Sequence, residues 1–309
     1  MPVRIPLITD PAARVLLDGL IDFAGLFPPA SLSMPDAVKQ YAKARGGEAG
    51  WMLGRFVCPV AQLESFGAVA EPLLPRDAGA IPWRLSAIGT GDHTTDATAV
   101  AAINVSHRWS WDECSAIVDT IETRATSTAE IEQIDRAFGA QATVYVELPP
   151  DADLAPLLTA LARTGRRAKL RTGGVVPDAF PSADMIVNFI DGCVEAGVPF
   201  KATAGLHHAM CADYALTYAP DSSTAPMYGY FNIALTVALR LANAPRDVLL
   251  DALRESDRGS IRFSEESVSW RSYTLDRTRI AHMREHVFTS FGSCSFTEPV
   301  SEGRAMGAW

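Results

Sequence analysis

The chain has 309 residues, is 48% hydrophobic and 20% charged, and carries a formal net charge of −9. That composition excludes a disordered chain. The acidic balance argues against a general nucleic-acid or membrane-surface binder, while leaving room for a small basic pocket.

The first twenty residues lack the charged-then-apolar pattern of a secretory leader. No apolar run reaches about 18 residues, so no bilayer span is expected. Short apolar segments then recur: "LIDFAG" (20–25), "WMLGRFV" (51–57), "WRLSAIG" (83–89), "AIVDTIE" (116–122), "ATVYVEL" (142–148), "AKLRTGG" (168–174) and "PFKATAG" (199–205). Their spacing of roughly 25–35 residues is that of a strand plus a crossover helix. Helical patterns fill the gaps. "STAEIEQIDRAFG" starts with a capping-box pair, Ser127 and Glu130, and stops at Gly139. "DLAPLLTALARTG" and "SADMIVNFIDGCVEAG" show the same amphipathic periodicity. This alternation predicts a parallel α/β sheet. Units of equal size predict its closure into a single-domain (β/α)8 TIM barrel over residues 1–309.

The eighth strand is less direct. Residues 206–275 form an excursion: a loop (209–227), an apolar helix "GYFNIALTVALRLA", a second helix near 246–256 and a hairpin in "IRFSEESVSWRSY". It is expected to be an insertion, a lid or an oligomer contact. "LDRTRIAHMREHVFTSFG" reads as a final amphipathic helix leading into strand eight at "GSCSF" (292–296), with 261–264 as the alternative.

Alternate residues of a barrel strand face the interior. Applied to these strands, the rule points Arg55, Ser86, Glu122, Tyr145, Glu147, Lys169, Arg171, Lys201 and Thr203 inward. Barrel interiors are normally filled with Val, Ile and Leu, and barrel chemistry sits at the C-terminal ends of strands. Buried ions without partners cost several kcal/mol each. The convergence therefore marks a site, or a salt-bridge network pairing Glu147 with Lys169 and Glu122 with Arg171, or both.

Lys169 and Lys201 fall on adjacent strands. A neighbouring cation and burial both lower a lysine's pKa, and a neutral lysine can form a Schiff base. The other reading leaves both charged, gripping a carboxylate or phosphate. Gly173, Gly174 and Gly205 follow these strands in "TGG" and "TAG", where backbone N–H groups can approach an anion. With Arg171, Arg55 and Thr203 they make a small anionic metabolite the expected ligand. His207 and His208 follow strand seven and suit acid/base work or substrate hydrogen bonding at the mouth. A metal fits poorly among so many cations, and neither metal nor cofactor is expected. The five cysteines, Cys58, Cys114, Cys193, Cys211 and Cys294, lack a CxxC pair. They read as free thiols in a reducing cytosol, with Cys294 a core thiol. A cytoplasmic homo-oligomer without nucleic-acid or membrane partners is the expected setting.

"VYVELP", "AKLRTGG" and "FKATAGLHH" resemble successive strands of class I aldolase barrels of the deoxyribose-phosphate aldolase type, over about residues 140–206. In that family a glutamate-bearing strand precedes a Lys-x-x-Thr-Gly strand, and the next strand carries a second lysine and a glycine turn. The resemblance places Lys169 as Schiff-base nucleophile and Lys201 as the group that depresses its pKa, although the Lys201 strand also has the flavour of the nucleophile strand. Arg171 departs from the small residue expected there. The family's earlier aspartate has two candidates, Asp119 and Glu122. "LHH" and the 206–275 excursion have no counterpart in it.

The sequence thus supports a lysine-dependent lyase or aldolase acting on a small anionic carbonyl compound, with Lys169, Lys201 and Glu147 as catalytic residues. The alternatives are a cofactor-free isomerase or transferase with permanently charged lysines, and a non-catalytic small-acid-binding barrel.

Overall fold

A computed structural model describes residues 10–77, 79–108, 114–149 and 151–309; part of the leader reading, residues 1–9, lies outside them. The elements run in the order α1 (Ala12–Leu17), β1 (Ile21–Phe23), α2 (Met34–Arg45), β2 (Leu53–Pro59), α3 (Leu63–Ala70), β3 (Trp83–Ile88), α4 (His93–Ser106), β4 (Ala116–Arg124), α5 (Thr128–Phe138), β5 (Thr143–Glu147), α6 (Leu154–Thr164), β6 (Arg167–Arg171), α7 (Ala183–Ala196) and β7 (Phe200–Thr203). There follow β8 (Ala212–Ala215), β9 (Thr224–Met227), α8 (Tyr230–Leu241), α9 (Arg246–Arg254), β10 (Ile261–Phe263), β11 (Ser267–Trp270), β12 (Tyr273–Asp276), α10 (Arg277–His286), β13 (Phe288–Ser293) and α11 (Thr297–Ala305). Eight parallel strands close a barrel in the order β1-β13-β7-β6-β5-β4-β3-β2. This is the TIM-barrel architecture. Among the described residues no helix is long and apolar enough to cross a membrane.

The seven strands expected from the apolar segments all form. Helix α5 is capped as its sequence implies, since Ser127 Oγ accepts from Glu130 N at 3.3 Å. The Glu130 carboxylate reaches one residue further back than a capping box, accepting from Thr126 N at 2.6 Å.

Strand eight is corrected. It is β13, Phe288–Ser293, which pairs with β1 and β7. It overlaps the expected 292–296 only at its end, and the final helix stops at His286 rather than running to 291. In "VFTSFG" the helical period ends, and Phe288 and Phe291, three residues apart, are both fully buried because the strand's register shifts between them. The 261–264 alternative lies outside the barrel, in a three-stranded antiparallel sheet of β10, β11 and β12. The 206–275 excursion is an insertion before the last barrel strand, with a β8–β9 hairpin inside the expected loop.

The main core lies between the strands and the helix ring. On one side Tyr41, Phe56, Phe66 and Trp83 form a chain of ring contacts beneath α2 and α3. Such pairs stabilise beyond their area burial by about 0.5–1.5 kcal/mol each. The insertion is locked by Asn232, fully buried in the first turn of α8. Its Oδ1 accepts from Cys211 N at 2.7 Å and Gly229 N at 3.1 Å, and its Nδ2 donates to Ala252 O and Glu255 O at 2.8 Å each. One side chain thereby satisfies four backbone groups that have lost water. Asn232→Leu removes this partner from Cys211 N, Gly229 N and Glu255 O, while Ala252 O keeps Glu255 N, at ~1–3 kcal/mol for each buried group left unpaired. The expected outcome is a fall in unfolding free energy of at least about 3 kcal/mol, read as a lower urea midpoint at pH 7.

Candidate active site

The barrel interior carries two polar layers. The lower one lies toward the N-terminal ends of the strands. There Asp119 of β4 takes Arg55 Nε at 2.6 Å and also pairs with Arg84 of β3. Tyr145 Oη hydrogen-bonds Thr289 Oγ1 at 2.7 Å and accepts from Arg167 at 2.9 Å. The expectation that Arg55 binds substrate is thereby corrected: its guanidinium is spent on Asp119, three residues into β2 and below the mouth.

The upper layer is built around Lys201, 1% exposed, and Glu122, 2% exposed. Lys201 Nζ donates to Asp22 Oδ2 at 2.6 Å and to Glu122 Oε1 at 2.7 Å. Ser290 Oγ supports Asp22 at 2.9 Å, and Ser86 Oγ supports Glu122 at 2.6 Å. The other oxygen of Asp22 accepts from Arg55 N at 2.8 Å. A Cβ on Gly54 would meet that oxygen at 2.5 Å, so the strand next to Asp22 has room for no side chain there. Lys169 Nζ lies 3.0 Å from Glu122 Oε2 and 3.0 Å from Glu147 Oε2. Glu147 Oε2 nevertheless has no hydrogen-bond partner among the described residues, so Lys169 is held by charge and not by an aligned N–H. Arg171 Nε meets Glu147 Oε1 at 3.1 Å, and Arg124 Nε stands 3.5 Å from the same oxygen. The result is an alternating line of charge, Asp22–Lys201–Glu122–Lys169–Glu147–Arg171, from the buried centre to the mouth.

Lys169 and Lys201 are register partners on β6 and β7. Each holds one oxygen of the same carboxylate, at 3.0 and 2.7 Å. Their ammonium groups are therefore closer than the ~10 Å over which salt screens charge. Burial works against Lys201's charge, but Asp22 and Glu122 outweigh it and raise its pKa above the lysine range. Burial pushes Glu122 up, yet Lys201 and then Lys169 hold it well below the carboxylate range. Glu147 behaves likewise, with Lys169 and Arg171 overcoming burial. The expected pairing of Glu147 with Lys169 is present, whereas Arg171 pairs with Glu147 and not with Glu122.

Asp22 was not among the expected site residues. Its signal is the one that flags Lys201, a charge inside an apolar strand, "LIDFAG". Both candidates for the earlier acidic residue turn inward because β4 carries a bulge. Leu85 faces Val118 but Ser86 faces Thr120, leaving Asp119 as the extra residue.

The glycine turns are occupied by protein. A Cβ on Gly173 would lie 2.4 Å from the Phe180 ring, one on Gly205 3.1 Å from it, and one on Gly174 2.7 Å from Ala179 Cβ. The expected anion cradle is thus filled by the 172–182 loop. Thr203 lies at the end of β7, with Thr172 N donating to its carbonyl at 2.9 Å. Thr172 is buried and also gives its hydroxyl to the Ala204 carbonyl.

His207 Nδ1 lies 3.1 Å from Ser293 Oγ and 3.5 Å from Cys294 Sγ. Burial and the neighbouring His208 hold its pKa down to about 4, so the ring is neutral at pH 7. Burial raises Cys294 above the thiol range. This is a neutral thiol beside a neutral imidazole and not an activated nucleophile. His208 stacks on Tyr214 at 3.4 Å between ring centroids and bonds Glu302 Oε1 at 2.7 Å. Both histidines line a small cavity of about 30 Å³ with Tyr218 and Glu298. A larger one, about 280 Å³, opens over Glu147, Arg124 and Arg171. Among the described residues there is no cluster of three His, Cys, Asp or Glu side chains suited to a metal ion.

No family model matches the chain, and no curated protein is similar to it. A solved structure of nitroalkane oxidase from Streptomyces ansochromogenes aligns at 13% identity with a TM-score of 0.32, covering 64% of this chain and 61% of that one. A likeness at that level carries no argument about the site.

The charge line also sets the acid response. Glu122 and Glu147 are depressed in the folded state, so the unfolded chain binds protons first as pH falls. Their stabilisation is present above the ordinary carboxylate pKa, about 4.3 for Glu, and is lost as pH falls below it toward the folded values. Lys201, raised in the folded state, contributes below about pH 10.4 and loses its contribution above. Glu122→Gln leaves two buried ammonium groups short of a partner, at about 3–5 kcal/mol. Urea unfolding at pH 7 and pH 3.5 should show the gap between wild type and variant narrowing at the lower pH.

Proposed function

We propose that this barrel is a lysine-dependent lyase of the aldolase type, with Lys169 forming a Schiff base with a small carbonyl substrate. The observation that carries the reading is the unequal sharing of Glu122. Lys201 holds hydrogen bonds to two carboxylates at 2.6 and 2.7 Å, whereas Lys169 stands 3.0 Å from each of its two. Of the two, Lys169 is the less closely held and the freer to leave its partners for a substrate. Lys169 also lies beside Glu147, which lines the larger cavity.

In this reading Lys201 stays a cation, held by Asp22 and Glu122. Glu147 Oε2, 3.0 Å from Lys169 Nζ, takes up and returns protons as the imine forms and hydrolyses. Glu122 holds both lysines in place and fills the position of the earlier acidic residue in the aldolase resemblance. The assignment of Lys201 as nucleophile is not favoured, since its pKa is raised and its ammonium fully engaged. The balanced buried charges also suit a second reading. Both lysines stay charged and Glu147 moves the proton in a cofactor-free isomerisation; turnover without covalent trapping would favour that.

The test is reduction with borohydride in the presence of small aldehydes and ketones, followed by peptide mass mapping. An adduct on Lys169 is expected, absent in Lys169→Met. An adduct on Lys201, or none with any carbonyl compound, overturns the reading.

A further inference from the structure

The deep part of the site needs no anion, because Asp22 and Glu122 balance Lys201 and Lys169. The surplus charge is at the mouth. Arg124 and Arg171, from β4 and β6, converge on one oxygen of Glu147 at 3.5 and 3.1 Å. One carboxylate balances only one of them. Asp178 stands exposed on the cavity rim and forms no ion pair among the described residues. The Arg124 side chain is 75% exposed, and its guanidinium makes no hydrogen bond among the described residues; Arg171 spends one further N–H on Gly173 O at 3.4 Å. Both arginines line a cavity of about 280 Å³, and most of their ten N–H donors are unspent on the described residues. Leu148, Phe180 and Met185 supply its apolar wall.

Glu147 sets the scale of what fits. One of its oxygens faces the Lys169 amine at 3.0 Å and the other faces Arg171 at 3.1 Å. An amine and a guanidinium separated by the width of one carboxylate suit a molecule whose carbonyl carbon is bonded directly to its own carboxylate. A phosphate ester places more atoms between carbonyl and anion than this spacing takes. We propose that the substrate is a 2-oxo acid, its carboxylate held by Arg124 and Arg171 and its keto carbon presented to Lys169. This rests on the Lys169 reading and adds Arg124 as a specificity residue. Glu147 keeps Lys169 and yields the guanidinium groups to the substrate. The neutral amine of Lys169 forms the new C–N bond; the keto oxygen takes one proton from that nitrogen and one from solvent and leaves as water, and a protonated imine remains, with no oxidant or reductant taking part.

The test compares three ketones at equal concentration, with cyanoborohydride as the hydride donor: pyruvate, hydroxyacetone, and dihydroxyacetone phosphate. Pyruvate and hydroxyacetone are similar in size and differ in the carboxylate. Pyruvate should label Lys169 fastest. Arg124→Gln should lower the pyruvate-to-hydroxyacetone rate ratio about tenfold, the size expected for a lost charge-assisted contact. Arg124 is exposed, so the variant folds. Equal labelling by pyruvate and hydroxyacetone, a ratio unchanged in the variant, or preference for dihydroxyacetone phosphate would each overturn the 2-oxo acid while leaving Lys169 as nucleophile. No labelling by any of the three overturns both.

Discussion

The upper half of the barrel depends on one carboxylate shared by two lysines. Glu122 draws Lys169 and Lys201, from adjacent strands, onto its two oxygens, and Ser86 from a third strand supports it. Two neighbouring ammonium groups in a dry interior repel each other. They remain together only because Glu122 lies between them and Asp22 closes the far side. Each such ion costs several kcal/mol to bury, offset only when all partners are present. The group is therefore cooperative: removing any member leaves an uncompensated charge, so its worth cannot be divided among pairs.

The bulge in β4 makes this arrangement possible. A strand with strict alternation can send Asp119 or Glu122 inward, but not both. The extra residue at Asp119 resets the phase. Asp119 then serves Arg55 and Arg84 below, and Glu122 serves the lysines above. The Tyr145 ring packs beside the upper set, its centre 5.6 Å from Lys201 Nζ, while its hydroxyl bonds Thr289 and Arg167 below.

This explains what was legible in the sequence and what was not. Seven barrel strands could be read because β-branched and apolar segments recur at the βα interval. The lysine pair followed from alternation alone, since β6 and β7 are regular and in register. The eighth strand was displaced because the apolar positions Ile280, Met283 and Val287 run without a break into Phe288 and Phe291, so helical and strand periods overlap. Arg55 is inward as alternation requires, but height along the strand, which alternation does not encode, took it to the lower layer. The glycines of "TGG" and "TAG" carry the same signal whether an anion or a phenyl ring approaches them, and here it is Phe180. Arg124 had no signal at all. An arginine at a strand's exposed end resembles any surface arginine until the fold places it beside Arg171.

The two sides of the mouth are chemically unlike, and the difference bears on how a carbonyl compound would lie. On the β7–β13 side His207 and Cys294 are neutral, and Glu298 stands 4.0 Å from His207 with Tyr218 bonded to it at 3.2 Å. That side offers hydroxyls, a neutral imidazole and a carboxylate, and it repels an anion. His208 belongs to its framework: with Tyr214 stacked on it and Glu302 bonded to it and to Ala209 N, it pins the hairpin insertion to α11. On the β4–β6 side two guanidinium groups face an open cavity. In the proposed reading the anionic group of the substrate would therefore lie on the β4–β6 side. Lys169, on β6, shares Glu122 with Lys201 of β7 and so links the charges of the two sides.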